Sequence, residues 1–576
     1  MKQSCVQCRA SYEVTDEDKA FLAKVSPVIA GQRQDIPAPT HCPSCRQRRR
    51  ITFRNDSHYY RNTCHLCGKP VISIYSSDKT VPVLCNGCYW SDRWDPLAYG
   101  VEFDPTKSFF EQYGAMRSRV PRITIFSTQS ENSEYTVHSS KNRNCYMCSS
   151  AVNSEDVYYS DWPIRCRDSM DCLMSTDLEL CYEAIDTHQS FNADWCELCM
   201  NVTDAYLCFD CHGSSTVVGC VSLRGAKNMI LNKPATKEEC EALVQKLKTD
   251  PAAHADFLQK FEELKLSLPK KYAWNLNAEG STGDYLTNCK NARACFHCEY
   301  LEDCRHVYDA TKIKDAMDLM RGSEGEMLYE CKGIIDLKLS AFCNLTYQCD
   351  NLLYCDNCHG CSYCFGCFSL KKQKYCILNK QYTKEQYEEL VPKIIDHMRR
   401  DGGGAMNPSP SVALGTGSAS GSWGEFFPVT LSPFGYNETK AQEWYPMTKE
   451  EVTGNGWRWS EYEPPQVAAA KTLPAESIPP SIADVPDDIL QWAIKSMGNG
   501  QLFRIIPQEL EFYRKKGLPI PKLSWQERHL ERKAHQNPCE LFDRACAKCQ
   551  KPVQTTYSPE RPEIVYCEEC YLKEVY

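Results

Sequence analysis

Twelve of the 37 cysteines stand in C-x2-C pairs that combine into three four-thiolate sets. The sharpest is Cys64-His-Leu-Cys67-Gly-Lys-Pro with Cys85-Asn-Gly-Cys88, seventeen residues separating Cys67 from Cys85. Two knuckles at this spacing bring four sulfurs to about 2.3 Å from a tetrahedral Zn2+, and Gly68 suits the tight turn of the first knuckle. The spacing returns at Cys546, Cys549, Cys567 and Cys570, a shift of 482 residues, with Lys551-Pro552 opposite Lys69-Pro70. Cys5, Cys8, Cys42 and Cys45 form the third set across a longer interval. Three structural Zn2+ sites are therefore expected. Four thiolates complete each shell, so His65 is not needed as a ligand and no coordination position stays open for water.

The first set has a relic. At a shift of 491, Phe503, Glu509 and Phe512 match Tyr12, Asp18 and Phe21, and at 482, Pro519 and Pro521 match Pro37 and Pro39. The four ligands then become Ser496, Asn499, Ser524 and Glu527, which bind zinc poorly, so this copy is expected to be metal-free and held by packing. Between the first two cysteine sets runs the one concentrated basic stretch, Arg46, Arg48, Arg49, Arg50, Arg54 and Arg61, interleaved with Phe53, Tyr59 and Tyr60. Arginines beside stacking aromatics are what single-stranded RNA or DNA binding uses. The alternative is that these arginines pair with the carboxylates of an acidic chain of net charge -9.

Stepping three residues at a time gives the elements between these modules. The ten cysteines from Cys145 to Cys220 fall on one series of step three, and so do the thirteen from Cys289 to Cys376, Cys331 included. No Asp, Glu, Lys or Arg occupies that series from Thr124 to Met229 or from Gly280 to Cys376. Helices repeat at 3.6 and strands at 2.0, so a strict three predicts a narrow β-solenoid with one inward residue per side, small because the interior is thin. Asp156, Asp168, Asn192, Asp204, Asp303, Asp315 and Asn351 recur at multiples of twelve, as corners of a twelve-residue coil would. The spacing of Cys349, Leu352, Cys355, Cys358 and Cys361 resembles the twelve-residue coils of insect antifreeze β-helices, in fold only, because the outward threonine ladder is missing. Gly219-Cys220-Val-Ser-Leu223 recurs as Gly366-Cys367-Phe-Ser-Leu370, a duplication at 147 residues. Thr236 with Glu239 and Thr383 with Gln386 open a capping helix after each copy.

Three readings of the solenoid thiols stay open: small buried hydrophobes, disulfides across coils, or extra metal held by sets such as Cys196, Cys199, Cys208, Cys211 and Cys355, Cys358, Cys364, Cys367. His212 and His359, in equivalent Cys-His-Gly contexts, read as corner residues beside a glycine turn rather than as a site.

The fold class expected is mainly β and multidomain, a duplicated cysteine-rich β-solenoid with helical caps between terminal zinc-knuckle and zinc-ribbon modules. The units are a zinc-knuckle module over 1–50, a ribbon over 51–95 and an aromatic connector over 96–123, packed on the first coil. Solenoid copies over 124–233 and 280–380 follow, with helical caps over 234–279 and 381–400. A flexible linker over 401–422, an extended Trp/Tyr/Pro-rich segment over 423–495 and the relic module with the second ribbon over 496–576 complete the chain. The motif order, with Pro-Thr-His-Cys42-Pro-Ser-Cys45-Arg, Asn132-Ser-Glu-Tyr135 and Tyr566-Cys-Glu-Glu-Cys-Tyr571, resembles cysteine-rich multi-zinc-ribbon proteins of candidate-phyla bacteria. That resemblance implies architecture and zinc, and no reaction.

No run approaches eighteen apolar residues, and Met1-Lys-Gln-Ser-Cys5 begins a metal-type motif rather than a signal peptide, so a cytoplasmic chain with no membrane role is expected. No His-Glu-x-x-His, phosphate loop or nucleophile elbow stands out, nor any motif for a small-molecule substrate. The leading expectation is a non-enzymatic scaffold that offers a rigid face to a protein partner or to itself. An RNA- or ribosome-associated factor using Arg46 to Arg61 comes second, and a thiol- or metal-dependent enzyme third.

Overall fold

The computed structural model describes residues 1–323, 326–330, 332–335, 339–401, 421–462, 469 and 471–575. Cys331, most of the expected linker, and Pro464 and Pro465 lie outside the described residues. Many short strands in small sheets and twelve α-helices account for the regular structure among the described residues.

The three-step has a backbone cause. Asn144, Met147, Ser150 and Asn153, each one residue before a step-three position, have φ between 51° and 54°. One left-handed residue in three turns the chain at every third position, and four such turns return it to its start after twelve. Phe191–Glu197 accordingly pairs in parallel with Thr203–Phe209, Cys196 opposite Cys208, and the isolated bridges of both duplicated stretches join residues twelve apart. The first pair of the second stretch, Leu276–Glu279 with Gly283–Lys290, is shifted by eleven. The corner residues expected at Asp156, Asp168, Asn192, Asp204, Asp303, Asp315 and Asn351 all adopt positive φ, but so do Trp162 and Leu180, which turn propensity does not mark. Among the described residues with positive φ, Thr216 alone is β-branched, because Val and Ile clash most in this region.

A left-handed residue other than glycine costs about 1–2 kcal/mol. Ladders between successive turns offset it: the Asn144 N–H donates to the Glu131 carbonyl at 3.0 Å and the Tyr146 N–H to Val157 at 3.1 Å. Side chains add a second ladder, with Asn132 donating to Asn144 at 3.2 Å and Asn144 to Asp156 at 3.0 Å.

Helices Lys237–Thr249 and Lys384–Arg400 follow the two stretches, each opened by the expected capping box at Thr236 or Thr383. A second helix, Pro251–Ser267, lays the Phe257 ring over Gly219, where a Cβ would stand 2.6 Å from it. The connector does not pack on the first coil as expected. Its helix Phe109–Arg119 crosses to the second stretch, where Phe109 sits 5.2 Å from Phe365 and over Gly366, the duplicate of Gly219. Only a position without a side chain admits a ring so close to the backbone, which is why both glycines recur.

The segment after the linker is likewise more than an extended strap. It forms short helices Lys440–Trp444 and Lys449–Gly454 and buries Trp423, Phe426 and Phe427 against Phe53, Tyr354 and Tyr113. The two stretches lie side by side in opposite directions. Phe126, at the start of the first, stacks 4.3 Å from Tyr347 near the end of the second, while Asp186 faces His297 at 3.8 Å.

Candidate metal centres

Each knuckle is built from a backbone turn that presents two thiols. In the first ribbon the Gly68 N–H donates to the Cys64 carbonyl at 2.9 Å, and Gly68 has φ 71°. Gln550 takes the same role in the second ribbon at φ 62° and Arg9 in the amino-terminal module at φ 65°. The second pair of each set sits at a helix start, Cys42 before Pro43–Ile51 and Cys85 before Asn86–Tyr89.

The result is three groups whose four sulfurs all lie within 4.8 Å of one another: Cys5, Cys8, Cys42, Cys45; Cys64, Cys67, Cys85, Cys88; and Cys546, Cys549, Cys567, Cys570. A tetrahedral ion with sulfur at about 2.3 Å separates its ligands by about 3.8 Å. The sulfurs of Cys8 and Cys42 are 3.7 Å apart, those of Cys67 and Cys85 3.9 Å, and those of Cys549 and Cys567 3.7 Å. Burial opposes the Cys64 thiolate, but the backbone N–H groups of Cys85, Cys67 and Leu66 outweigh it and bring the thiol down to about 6. Cys546 is brought down to about 6 in the same way. These donor sets fit a metal ion that thiolates prefer. His65 instead hydrogen-bonds the Val83 N–H through Nδ1 at 3.1 Å.

The relic module keeps the backbone and replaces the four thiols. Gln3 opposite Tyr12 in the first module corresponds to Ile494 opposite Phe503, and the Cys5 N–H bond to Ala10 (2.9 Å) to that of Ser496 to Gln501 (2.9 Å). At the ligand positions, the Glu527 carboxylate accepts from the Asn499 N–H at 2.6 Å, the Ser524 hydroxyl at 2.6 Å and the Ser496 hydroxyl. The copy is held by packing of Leu510, Phe512, Tyr513, Leu518 and Ile520, and in addition a charged hydrogen-bond hub joins the four ligand positions.

No protein-family model and no curated protein matches this chain.

The basic run is spent inside the molecule. Arg46 and Arg50 reach the fully buried Asp318 at 2.5 and 3.3 Å, and Arg49 bridges Glu330 and Glu425 at 2.8 Å each. Arg54 pairs with Asp56 at 2.7 Å, Arg48 lies over Trp457, and Phe53 and Tyr60 are buried, so Arg61 is the one exposed arginine of the six. Tyr59 is half-buried, its hydroxyl near the carbonyls of Asp56 and Cys148. The nucleic-acid assignment is thus corrected for Arg46, Arg49, Arg50 and Arg54, because guanidiniums locked to carboxylates cannot meet phosphates, and Arg61 is left as a single exposed cation rather than part of a basic patch.

The relic module repeats the docking on the other stretch. Arg528 and Arg532, 482 residues beyond Arg46 and Arg50, grip Asp171 at 2.9 Å each, and Asp171 precedes Asp318 by 147. The ribbons follow suit: Tyr89 accepts from Asn357 at 3.0 Å, while Tyr571 donates to Asp210, the duplicate of Asn357. Each terminal arm therefore places its helix arginines and ribbon tyrosine on the stretch farther from it in the chain, while Arg54 and Thr556 also reach the nearer stretch at Ser150 and Asp284. Sequence reasoning missed Asp171 and Asp318, although both sit on the corner series beside long neighbours. Their buried, multiply paired state needs the docked arm to be seen.

The thiols of the repeats serve locally. Cys196 Sγ donates to the Asp194 carbonyl at 3.5 Å and Cys208 Sγ to Val217 at 3.4 Å. Cys199, Cys211, Cys355, Cys358, Cys364 and Cys367 do the same, and all eight are free rather than disulfide-bonded. None belongs to the three compact groups above. Gly213 and Gly360 supply the turns beside His212 and His359. His212 bonds Asp210 at 3.1 Å, whereas His359 is buried in an aromatic stack, where burial and then Lys371 push it down to about 3.

Proposed function

We propose that this protein is a non-enzymatic scaffold in which three structural zinc sites fix two clamps onto a pair of narrow β-solenoids. The observation that carries the reading is the crossed docking, where Arg46 and Arg50 hold Asp318 and Arg528 and Arg532 hold Asp171. Closed four-thiolate sites have no vacant position for a substrate or water, so their contribution is folding energy. Zinc fits the donor type and the sulfur spacing best.

The clamps leave an outward face of alternating charge, with Arg143, Glu155 and Arg167 in one line and Arg165 paired to Asp177 at 2.6 Å beside it. Such a face suits a protein partner or a second copy of the chain, and it weakens RNA as an alternative because its charges already neutralise one another. Elemental analysis of the purified chain, with thiol titration before and after unfolding, tests the reading. Three zinc ions per chain are expected, with the solenoid thiols unreactive until unfolding and then free. Iron, a metal content well above three, or native disulfides in the repeats would remove the scaffold reading in favour of thiol or metal chemistry.

A further inference from the structure

The duplication supplies an internal control for a cleft between the two stretches. In the second stretch the place beside Tyr347 and His359 is filled by the molecule itself. The Phe126 ring lies 4.3 Å from Tyr347 and 5.9 Å from His359, within 18° of parallel to both. In the first stretch the equivalent residues are Met200 and His212, each 147 earlier.

The counterpart of Phe126 is Trp274, since Arg122 pairs with Val83 as Lys270 pairs with Val565 in the two ribbons. Trp274 does not fill its place. Its indole N–H donates to the Tyr557 hydroxyl at 3.3 Å, and its ring stands edge-on to Phe209 and Tyr571. What remains is a cavity of about 480 Å³ between Met200, His212 and His188 on one side and Tyr285, His297 and Glu299 on the other. That size is ample for a bicyclic ring system.

Two polar groups face this space without a hydrogen-bonding partner among the described residues, the His188 imidazole and the Glu299 carboxylate. Burial pushes His188 down to about 4 and Glu299 up. Glu299 is half-buried and lies in the field of the Arg165 guanidinium, with no hydrogen-bond donor on it among the described residues, and a ligand with two adjacent N–H groups would supply that pair of donors.

We propose that this cleft binds a flat heteroaromatic small molecule, stacked beside Met200 and His212 as Phe126 stacks beside Tyr347 and His359, with paired N–H donors turned to Glu299. The edge of guanine that carries N1–H and the amino group has this chemistry. The second ribbon closes one side of the cleft through Glu568, Tyr571 and Leu572, so the site needs that ribbon folded, but it does not rest on the scaffold reading.

Guanosine, 1-methylguanosine and ribose serve as probes of the full-length, metal-loaded chain by saturation-transfer NMR and equilibrium dialysis. Guanosine is expected to saturate one site and to bind at least tenfold more tightly than the N1-blocked analogue, with ribose silent. Glu299→Ala should lose at least tenfold, and Met200→Trp, which fills the cavity, should abolish binding. If Met200→Trp fails to fold, Glu299→Ala and the blocked probe still decide. Equal binding of the two nucleosides, no saturation at millimolar concentration, or an unchanged affinity in Glu299→Ala would each overturn the proposal.

Discussion

Glu527 joins with one carboxylate the four positions that in the first module are thiols able to hold a metal ion. Three donors converge on it, and charge-assisted bonds of this kind contribute about 1.5–3 kcal/mol each when buried, less at a partly exposed site such as this. Because the two backbones share strand register and helix start, Ser496, Asn499, Ser524 and Glu527 already stand where Cys5, Cys8, Cys42 and Cys45 stand. Replacing all four by cysteine should therefore raise the metal content by one ion per chain, as read by elemental analysis, with the fold retained by circular dichroism. A folded variant with no added metal would mean that the relic has drifted too far to bind. The four positions were legible in the sequence as two offsets, 491 for Ser496 and Asn499 and 482 for Ser524 and Glu527. The hub was not, because a glutamate at a lost ligand position reads as decay until its donors are placed around it.

At the scale of the element, the helices Pro43–Ile51 and Trp525–His535 explain why the arginine run misled. Arg46 and Arg50 are four apart, as are Arg528 and Arg532, so each pair lies on one helical face. That face is buried on a carboxylate instead of an apolar stripe, an arrangement that hydrophobic periodicity does not reveal. Removing one partner of a buried ion pair costs about 3–5 kcal/mol, since the other charge is left without compensation. Asp318→Ala should accordingly raise hydrogen exchange and proteolysis over residues 1–60 while leaving 496–540 protected, and Asp171→Ala should do the reverse. Equal loosening of both arms by either variant would show that the clamps are not separate devices. The repeats themselves were more legible: a three-residue spacing of small side chains is imposed by a left-handed turn at every third residue, and composition registers the inward half of that rule. The outward half escaped because Leu180 takes positive φ where its N–H bonds the Arg167 carbonyl of the preceding turn, and Trp162 does so within the strand paired to Leu173–Thr176, neither by its own preference.

Over the whole molecule, the decisive feature is that each arm sets its buried arginine pairs on the farther stretch, although it also touches the nearer one, as Arg54 does at Ser150 and Thr556 at Asp284. The amino-terminal module docks on Asp318 and Glu330, the relic on Asp171 and Glu183, and the strand Lys270–Lys271 between the two stretches pairs with Val565–Tyr566 of the last ribbon. Sequence spacing gave both duplications but could not order them in space, because a shift of 482 or 147 says what matches and not what touches. The crossing has a consequence for how the chain can be divided. A cut after residue 279 leaves the first arm with the wrong stretch, so 1–279 contains Arg46 and Arg50 without Asp318, and Asp171 without Arg528 and Arg532. Each piece then exposes buried charges that only the other can pair. Fragments 1–279 and 280–576 made separately should aggregate or stay protease-sensitive, whereas co-expression should yield a one-to-one complex that withstands salt, because its pairs are screened by burial rather than exposed to it. Recovery of 1–279 alone as a folded, protease-resistant monomer would mean that neighbouring segments suffice and that the exchange of arms is incidental to stability.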